Sequence, residues 1–333
     1  MHIRCGTALS RGAVIGYPWL GRDMRKRVLL VALVCSMTAG VLSTAGSVAY
    51  AETSTCGGLP ALRPGPAFNG NDGRIYGTTI ASDNRRVLAA AARNDTRITV
   101  IYALPRHMGN PILSAVSDDG SRIAFVVPDG SGYVSGGVAS GGYRAYLYTR
   151  PTRTLTRLSD LPDVRQIDIS ADGRFIAMQD RTKAGTEIVS YDTRFRCTID
   201  SDSSVNMSWS RDGQALMMDT GFSPEAAVFR VEVRSGAVRT VRQRAFAYME
   251  NPRNQSALYQ RDDNNGTIPD VLRVTSATAA PTRVFNSTPD NNSGIAHWSP
   301  SGAYFIKGGY VVRADGTASR RFIDANLTDW AMS

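Results

Sequence analysis

The chain has 333 residues, room for one large β domain or two ordinary ones, and its 42% hydrophobic and 20% charged residues exclude a disordered or fibrous chain. The formal net charge is +9, but residues 1–51 carry six basic groups and one acidic, which leaves 32 against 28, about +4, for the remainder. Those charges are interspersed, and no basic run carries stacking aromatics, so nucleic acid is not expected as a partner.

Residues 1–51 read as a presequence. Met24-Arg25-Lys26-Arg27 is a basic start, Val28 to Val34 an apolar core, and Ala49-Tyr50-Ala51 a small-residue cleavage site before Glu52. The better initiator is Met24, and the cut is expected between Ala51 and Glu52. The alternative is an uncleaved anchor over Val28 to Val48, which would be the chain's only contact with a membrane. No lipoprotein signal fits, since Cys35 lies inside the apolar core and Cys56 follows Thr55. The exported part keeps two cysteines, Cys56 and Cys197, and an even pair outside the cytoplasm predicts one disulfide between them.

Residues 52–76 form an irregular lead-in, with Pro60, Pro64 and Pro66 blocking helix. From residue 77 to 333 the chain is organised by a recurring phrase. Its clearest copies are Ser117-Asp118-Asp119-Gly120, Ser170-Ala171-Asp172-Gly173 and Ser210-Arg211-Asp212-Gly213, each followed by an apolar run, with a fourth at Ser299-Pro300-Ser301-Gly302. Asp before Gly closes a tight turn between two strands, with Gly supplying the left-handed residue. Two eroded copies put Arg85 and Asn254 at the Gly position, and Asn tolerates positive φ where Arg does not. The Gly-equivalent positions are 35, 53, 40, 41 and 48 residues apart. A unit of about 40–45 residues with four strands, A to D, is the mark of a β-propeller blade. The expected fold is all-β, a six-bladed propeller, with seven blades as the alternative count.

Trp298-Ser299-Pro300-Ser301-Gly302 and Trp209-Ser210-Arg211-Asp212-Gly213 resemble the WD-like repeat of TolB-type propellers, over nearly the whole chain after the presequence. The same repeat occurs in the propellers of prolyl oligopeptidase-type enzymes and of oligogalacturonate lyases. The resemblance therefore implies a fold and leaves the function open.

Up-and-down strands put the A–B and C–D turns on one face of the ring and the B–C and D–A connections on the other. The first set reads as short. The second includes a Gly-rich insertion from Pro128 to Gly142, carrying Tyr133, and an acidic stretch from Asp262 to Asp270. The elaborated face is thus the expected docking face.

Catalytic signals are sparse. Of the histidines beyond the presequence, His107 and His297, the second precedes Trp298 on an inner strand and is expected near the central channel. There is no G-x-S-x-G elbow and no G-x-G-x-x-G fingerprint. Asp262, Asp263, Asn265 and Asp270 space hard oxygens like part of a calcium loop, but Arg261 stands where the first ligand belongs, so a polar hairpin is the better reading and no metal or cofactor is expected. The sequence is read as an exported, secreted or cell-envelope, bacterial propeller that binds a protein or an envelope glycan without catalysis. The alternative is a polysaccharide lyase or hydrolase working in the channel.

Overall fold

A computed structural model describes residues 56–95, 97–128, 142–180, 185–193, 195–199, 206–221, 225–261, 270–288, 295–322 and 327–332. Residues 1–51, read above as a presequence, the Ala51–Glu52 junction, Tyr133, Asp262, Asp263 and Asn265 lie outside these residues.

Six four-stranded antiparallel sheets form the blades of one propeller. Blades two to six take their strands in chain order, within residues 113–157, 164–199, 207–243, 246–285 and 297–321. Blade one is assembled from both ends: Arg74–Ile80, Arg86–Ala92 and Thr99–Ala103 are its strands B to D, and Leu327–Ala331 pairs with Arg74–Ile80 as its innermost strand. The ring is therefore closed by a strand from the C-terminal end.

Strand composition follows position in the ring. The B strands are covered on both sides by neighbouring blades, so most are rich in apolar residues; Phe175–Asp180 and Ala215–Asp219 are buried throughout. The outermost strands face water, and Thr154–Arg157 is largely exposed. The core is divided among the blade interfaces. Ile123 and Phe125 pack with Tyr76 and Leu88, Ile176 and Met178 with Val126 and Leu147, and Leu216 and Met218 with Phe175. Met217 packs with Tyr259, Phe305 with Leu258, and Ile306 with Ile75 and Trp330.

The recurring phrase is the A–B turn in blades two to six. In blade three Ser170 Oγ donates to Asp172 Oδ1 (2.7 Å) and accepts from the N–H of Phe175 (3.0 Å), while Asp172 Oδ1 accepts from the N–H of Arg174 (3.1 Å). Blade four repeats this with Ser210 and Asp212. The turn glycines 120, 173, 213 and 302 have φ between 67° and 69°.

Both eroded copies differ from expectation. Ser82 to Leu88 spans the B–C turn of blade one, on the opposite face, and the left-handed residue there is Asn84 (φ 61°) rather than Arg85. The first A–B phrase is instead Asp72-Gly73-Arg74-Ile75, with Gly73 at φ 64°. Its serine and inner strand are missing because the C-terminal strand fills that place. A Cβ on Gly73 would lie 2.0 Å from the carbonyl oxygen of Ala331, so the closing seam admits only glycine. In blade five Asn254 is not among the positive-φ residues. Two side chains close that turn instead: Asn251 Oδ1 accepts from the N–H of Arg253 and Asn254 Oδ1 from that of Ser256, both at 2.8 Å.

The loop-length asymmetry has exceptions in both directions. The B–C turn of blade six is only Gly308-Gly309, and blades four and five are joined by residues 244–245. The C–D turn of blade five runs over 275–281.

Candidate functional site

The inner strands converge on the axis, and the residues two before each turn serine form a belt there. Asp168 accepts the N–H of Ile169 (2.9 Å) and, from the next blade, that of Trp209 (2.7 Å). Asp329 repeats the pattern, accepting from Trp330 (2.7 Å) and from Val116 of blade two (2.5 Å). His297 Nδ1 stands 3.2 Å from Asp329 Oδ1, which ties blade six to blade one. Ser208 Oγ donates to the carbonyl of Tyr248 (2.9 Å), and Trp298 Nε1 to that of Met249 (3.1 Å). These side chains stitch adjacent blades together, and such buried main-chain contacts are costly to lose.

Withdrawal from water, reinforced by the Asp329 carboxylate, pushes Asp168 up to about 7. The same two causes push Asp118 up to about 7. Burial disfavours the charged form of His297, but the charge and hydrogen bond of Asp329 outweigh it, so the His297 pKa is raised.

Above this belt, on the face of the A–B turns, lies a cavity of about 460 Å³ lined by all six blades. Its lining repeats with the phrase. The residue directly after the turn serine, or after its equivalent Asn251, is Asp118, Ala171, Arg211, Pro252 and Pro300 in blades two to six, and every one lines the cavity. Ser, Asp and Gly are spent on the turn; the free position between them faces the hole. Trp209, Trp298 and Trp330 complete the wall from the inner strands.

The lead-in crosses this face as a strap. Its outer end is fixed by the disulfide Cys56–Cys197, which joins it to the outermost strand of blade three. Leu59 and Leu62 sink into the core between blades three and four. The carbonyls of Leu59, Ala61 and Leu62 accept from Arg234, Arg174 and Gln214. Pro64 to Ala67 then line the cavity. Gly65 passes so close to the rim that a Cβ would lie 2.5 Å from Asp118 Oδ2 and 2.7 Å from Ala171 Cβ. Phe68 lies under the Arg253 guanidinium (5.2 Å), and Asp72 accepts from the N–H of Ser301 (3.1 Å) and from Trp330 Nε1.

Of the residues singled out in the sequence, His297 lines the cavity and Cys56 and Cys197 are bonded. Asp270 lies elsewhere, accepting from Arg283 (3.2 Å) and the N–H of Ser287 (3.1 Å). Among the described residues no set of His, Cys, Asp and Glu is arranged to hold a metal ion. Sequence reading missed Asp118, Asp168, Asp329 and the strap. For Asp118 a signal existed: Ser117-Asp118-Asp119-Gly120 has two acids where the turn needs one.

No protein-family model matches the sequence, and no curated protein does either. Similarity is found in solved structures. TolB from Acinetobacter baumannii superimposes with a TM-score of 0.61 at 14% identity, covering 78% of this chain and 67% of that one. An oligogalacturonate lyase from Vibrio parahaemolyticus gives 0.51 at 12%, covering 73% and 75%. A chain of a nidogen/laminin complex gives 0.52 at 10%, covering 78% and 95%. The protein is a six-bladed, four-stranded β-propeller closed by its C-terminal strand. Within that class its fold is TolB-like.

Proposed function

We propose that the protein is exported by its presequence and acts outside the cytoplasm as a non-enzymatic binding or scaffold propeller. Its partner, a protein or a cell-envelope glycan, docks on the turn face over the cavity. The observation that carries this reading is the division of labour within the phrase: Ser, Asp and Gly build the same turn in successive blades, while the residue after Ser varies and faces the cavity. A constant frame with a varied lining suits recognition. The disulfide supports an oxidising compartment. The nidogen/laminin complex is an example of a similar propeller within a protein assembly. The test is capture from an envelope extract. Arg211→Trp, which puts a bulky neutral side chain on the cavity rim, is expected to lose the partner retained by wild type and by Asp83→Arg on the opposite face. Equal capture by all three overturns the reading.

A second reading, polysaccharide cleavage in the channel, draws on the His297–Asp329 pair in the cavity wall. It is disfavoured because both oxygens of Asp329 and both of Asp168 already accept main-chain N–H groups. Turnover of an acidic oligosaccharide by wild type, lost in His297→Gln, would establish it.

A further inference from the structure

We propose that the cavity receives an arginine or lysine side chain from an extended segment of a partner protein, and that the Asp118 carboxylate is the group that holds it. This rests on the turn face being the docking face and names what is recognised there.

The other carboxylates of the cavity are occupied. Asp168 and Asp329 clamp inner strands. Asp212 is paired with Arg230 (2.8 Å), and Glu250 accepts the N–H of Arg211 (2.8 Å). Asp118 differs. Its main chain is fixed on both sides, with its N–H donating to the carbonyl of Ala171 (3.0 Å) and its carbonyl accepting from the N–H of Met332 (2.6 Å). Its side chain makes no hydrogen bond or ion pair with any described residue. The acids around it are Asp119, Asp168 and Asp329, and the facing cation is Arg253. Arg253 is engaged elsewhere: its Nε donates to the carbonyl of Pro300 (2.5 Å), and its guanidinium covers Phe68. Asp118 is thus a rigidly placed acceptor among acids, partly withdrawn from water and without a donor. A partner's cation would supply one, as a charge-assisted hydrogen bond in a site already organised for it.

A second, independent observation comes from Trp209, in the same wall. Trp298 and Trp330, its counterparts on other blades, donate their indole N–H to the carbonyls of Met249 and Asp72. Trp209 is only 7% exposed, yet its buried Nε1 has no acceptor among the described residues. Asp118 is thus an acceptor lacking a donor, and Trp209, in the same wall, carries a buried donor lacking an acceptor among the described residues. A basic residue within a peptide supplies the missing donor, the cation on its side chain. Other occupants fit less well. A sugar ring stacks on an open aromatic face, and Trp298 and Trp330 are 6% and 3% exposed. A divalent cation needs a ligand set that the described residues lack.

Three of the chain's four tryptophans line this cavity, so intrinsic fluorescence reports on its occupancy. The probes are end-blocked Ala-Arg-Ala, Ala-Lys-Ala and the neutral isostere Ala-citrulline-Ala, titrated into the full chain to millimolar concentration, with calcium chloride in parallel. The proposal expects a saturable change with the two basic peptides, at least tenfold weaker binding of the citrulline peptide, and weakening by 0.5 M salt. Asp118→Asn should bind the arginine peptide at least tenfold more weakly while melting no earlier than wild type. Equal response to arginine and citrulline overturns it, as does unchanged binding by Asp118→Asn, or a response to calcium alone. The arginine–citrulline contrast needs no variant, so it stands if Asp118→Asn folds poorly. If partner capture is lost in Arg211→Trp but survives in Asp118→Asn, the docking reading stands and this assignment falls.

Discussion

The two faces of the propeller are made by the same strands and put the chain to opposite uses. On the face of the B–C and D–A connections, length varies widely, from Gly308-Gly309 to the stretch between Pro128 and Tyr143. On the face of the A–B turns, length is nearly constant, yet there the strands converge, the strap crosses, and a cavity with charged and aromatic walls opens. Loop length records where the chain tolerates insertion. Convergence of strand ends at an axis is what brings side chains from six blades within reach of one ligand. A short turn therefore marks a site as well as a long loop does, provided one of its residues is released from turn-making.

The sharpest way to break this contrast is to cut each face. Deleting residues 327–333 removes the inner strand of blade one with Asp329 and Trp330, and a propeller without its closing strand should show no cooperative thermal transition. Deleting residues 131–141 of the Gly-rich insertion should move the melting temperature by only a few degrees, because closing a shorter loop costs little. Circular dichroism melts of the two proteins give the comparison directly; similar losses would erase it.

The strap supplies the next effect in size. Replacing Cys56 and Cys197 together by serine should lower stability by about 2–4 kcal/mol in denaturant unfolding. Gly213→Val comes next. It forces a β-branched residue to φ 68° and drives its Cβ to 2.5 Å from the carbonyl oxygen of Arg63 in the strap. The backbone strain alone costs about 1–3 kcal/mol. Asn254→Gly, in the turn closed by side chains, should stay well below that.

The axial acids predict a pH dependence. Asp118 and Asp168 titrate near 7 in the fold and near 3.8 when unfolded, and Asp219 is also raised by burial. Between those values the folded state holds more protons than the unfolded one, so stability falls as pH rises from about 4 to about 7. The raised pKa of His297 acts in the same sense, contributing below its unfolded value of 6.5 and losing that contribution as pH passes the folded value. Denaturant midpoints across this range should decline, and Asp118→Asn should shallow the decline. A midpoint that rises through the same window would contradict the placement of these acids.

Much of the fold was legible because the phrase carries its own physics. Asp before Gly specifies the turn, the buried serine is tied to both, and the spacing gives the blade. Blade one was not legible in the same way, because its inner strand comes from the far end of the chain and its phrase begins without a serine. That led the eye to Asn84-Arg85, a B–C turn with similar spacing. The site was less legible. His297 could be placed near the axis from Trp298, and Cys56 could be paired with Cys197. Asp168 and Asp329 could not be singled out, since their role depends on main-chain donors of the next blade. The strap's course could not be read from a Pro- and Gly-rich stretch, whose contacts are set by arginines and a glutamine on distant turns.

The central claim is that a partner meets this propeller on the face of its short turns. It is tested most directly with a photo-reactive phenylalanine analogue placed at Arg211 on the cavity rim or at Asp83 in the B–C turn of blade one, both exposed. Each labelled protein is irradiated in an envelope extract. The account predicts one discrete cross-linked product from position 211 and none of that mass from position 83. The same product from position 83, with none from 211, would contradict it.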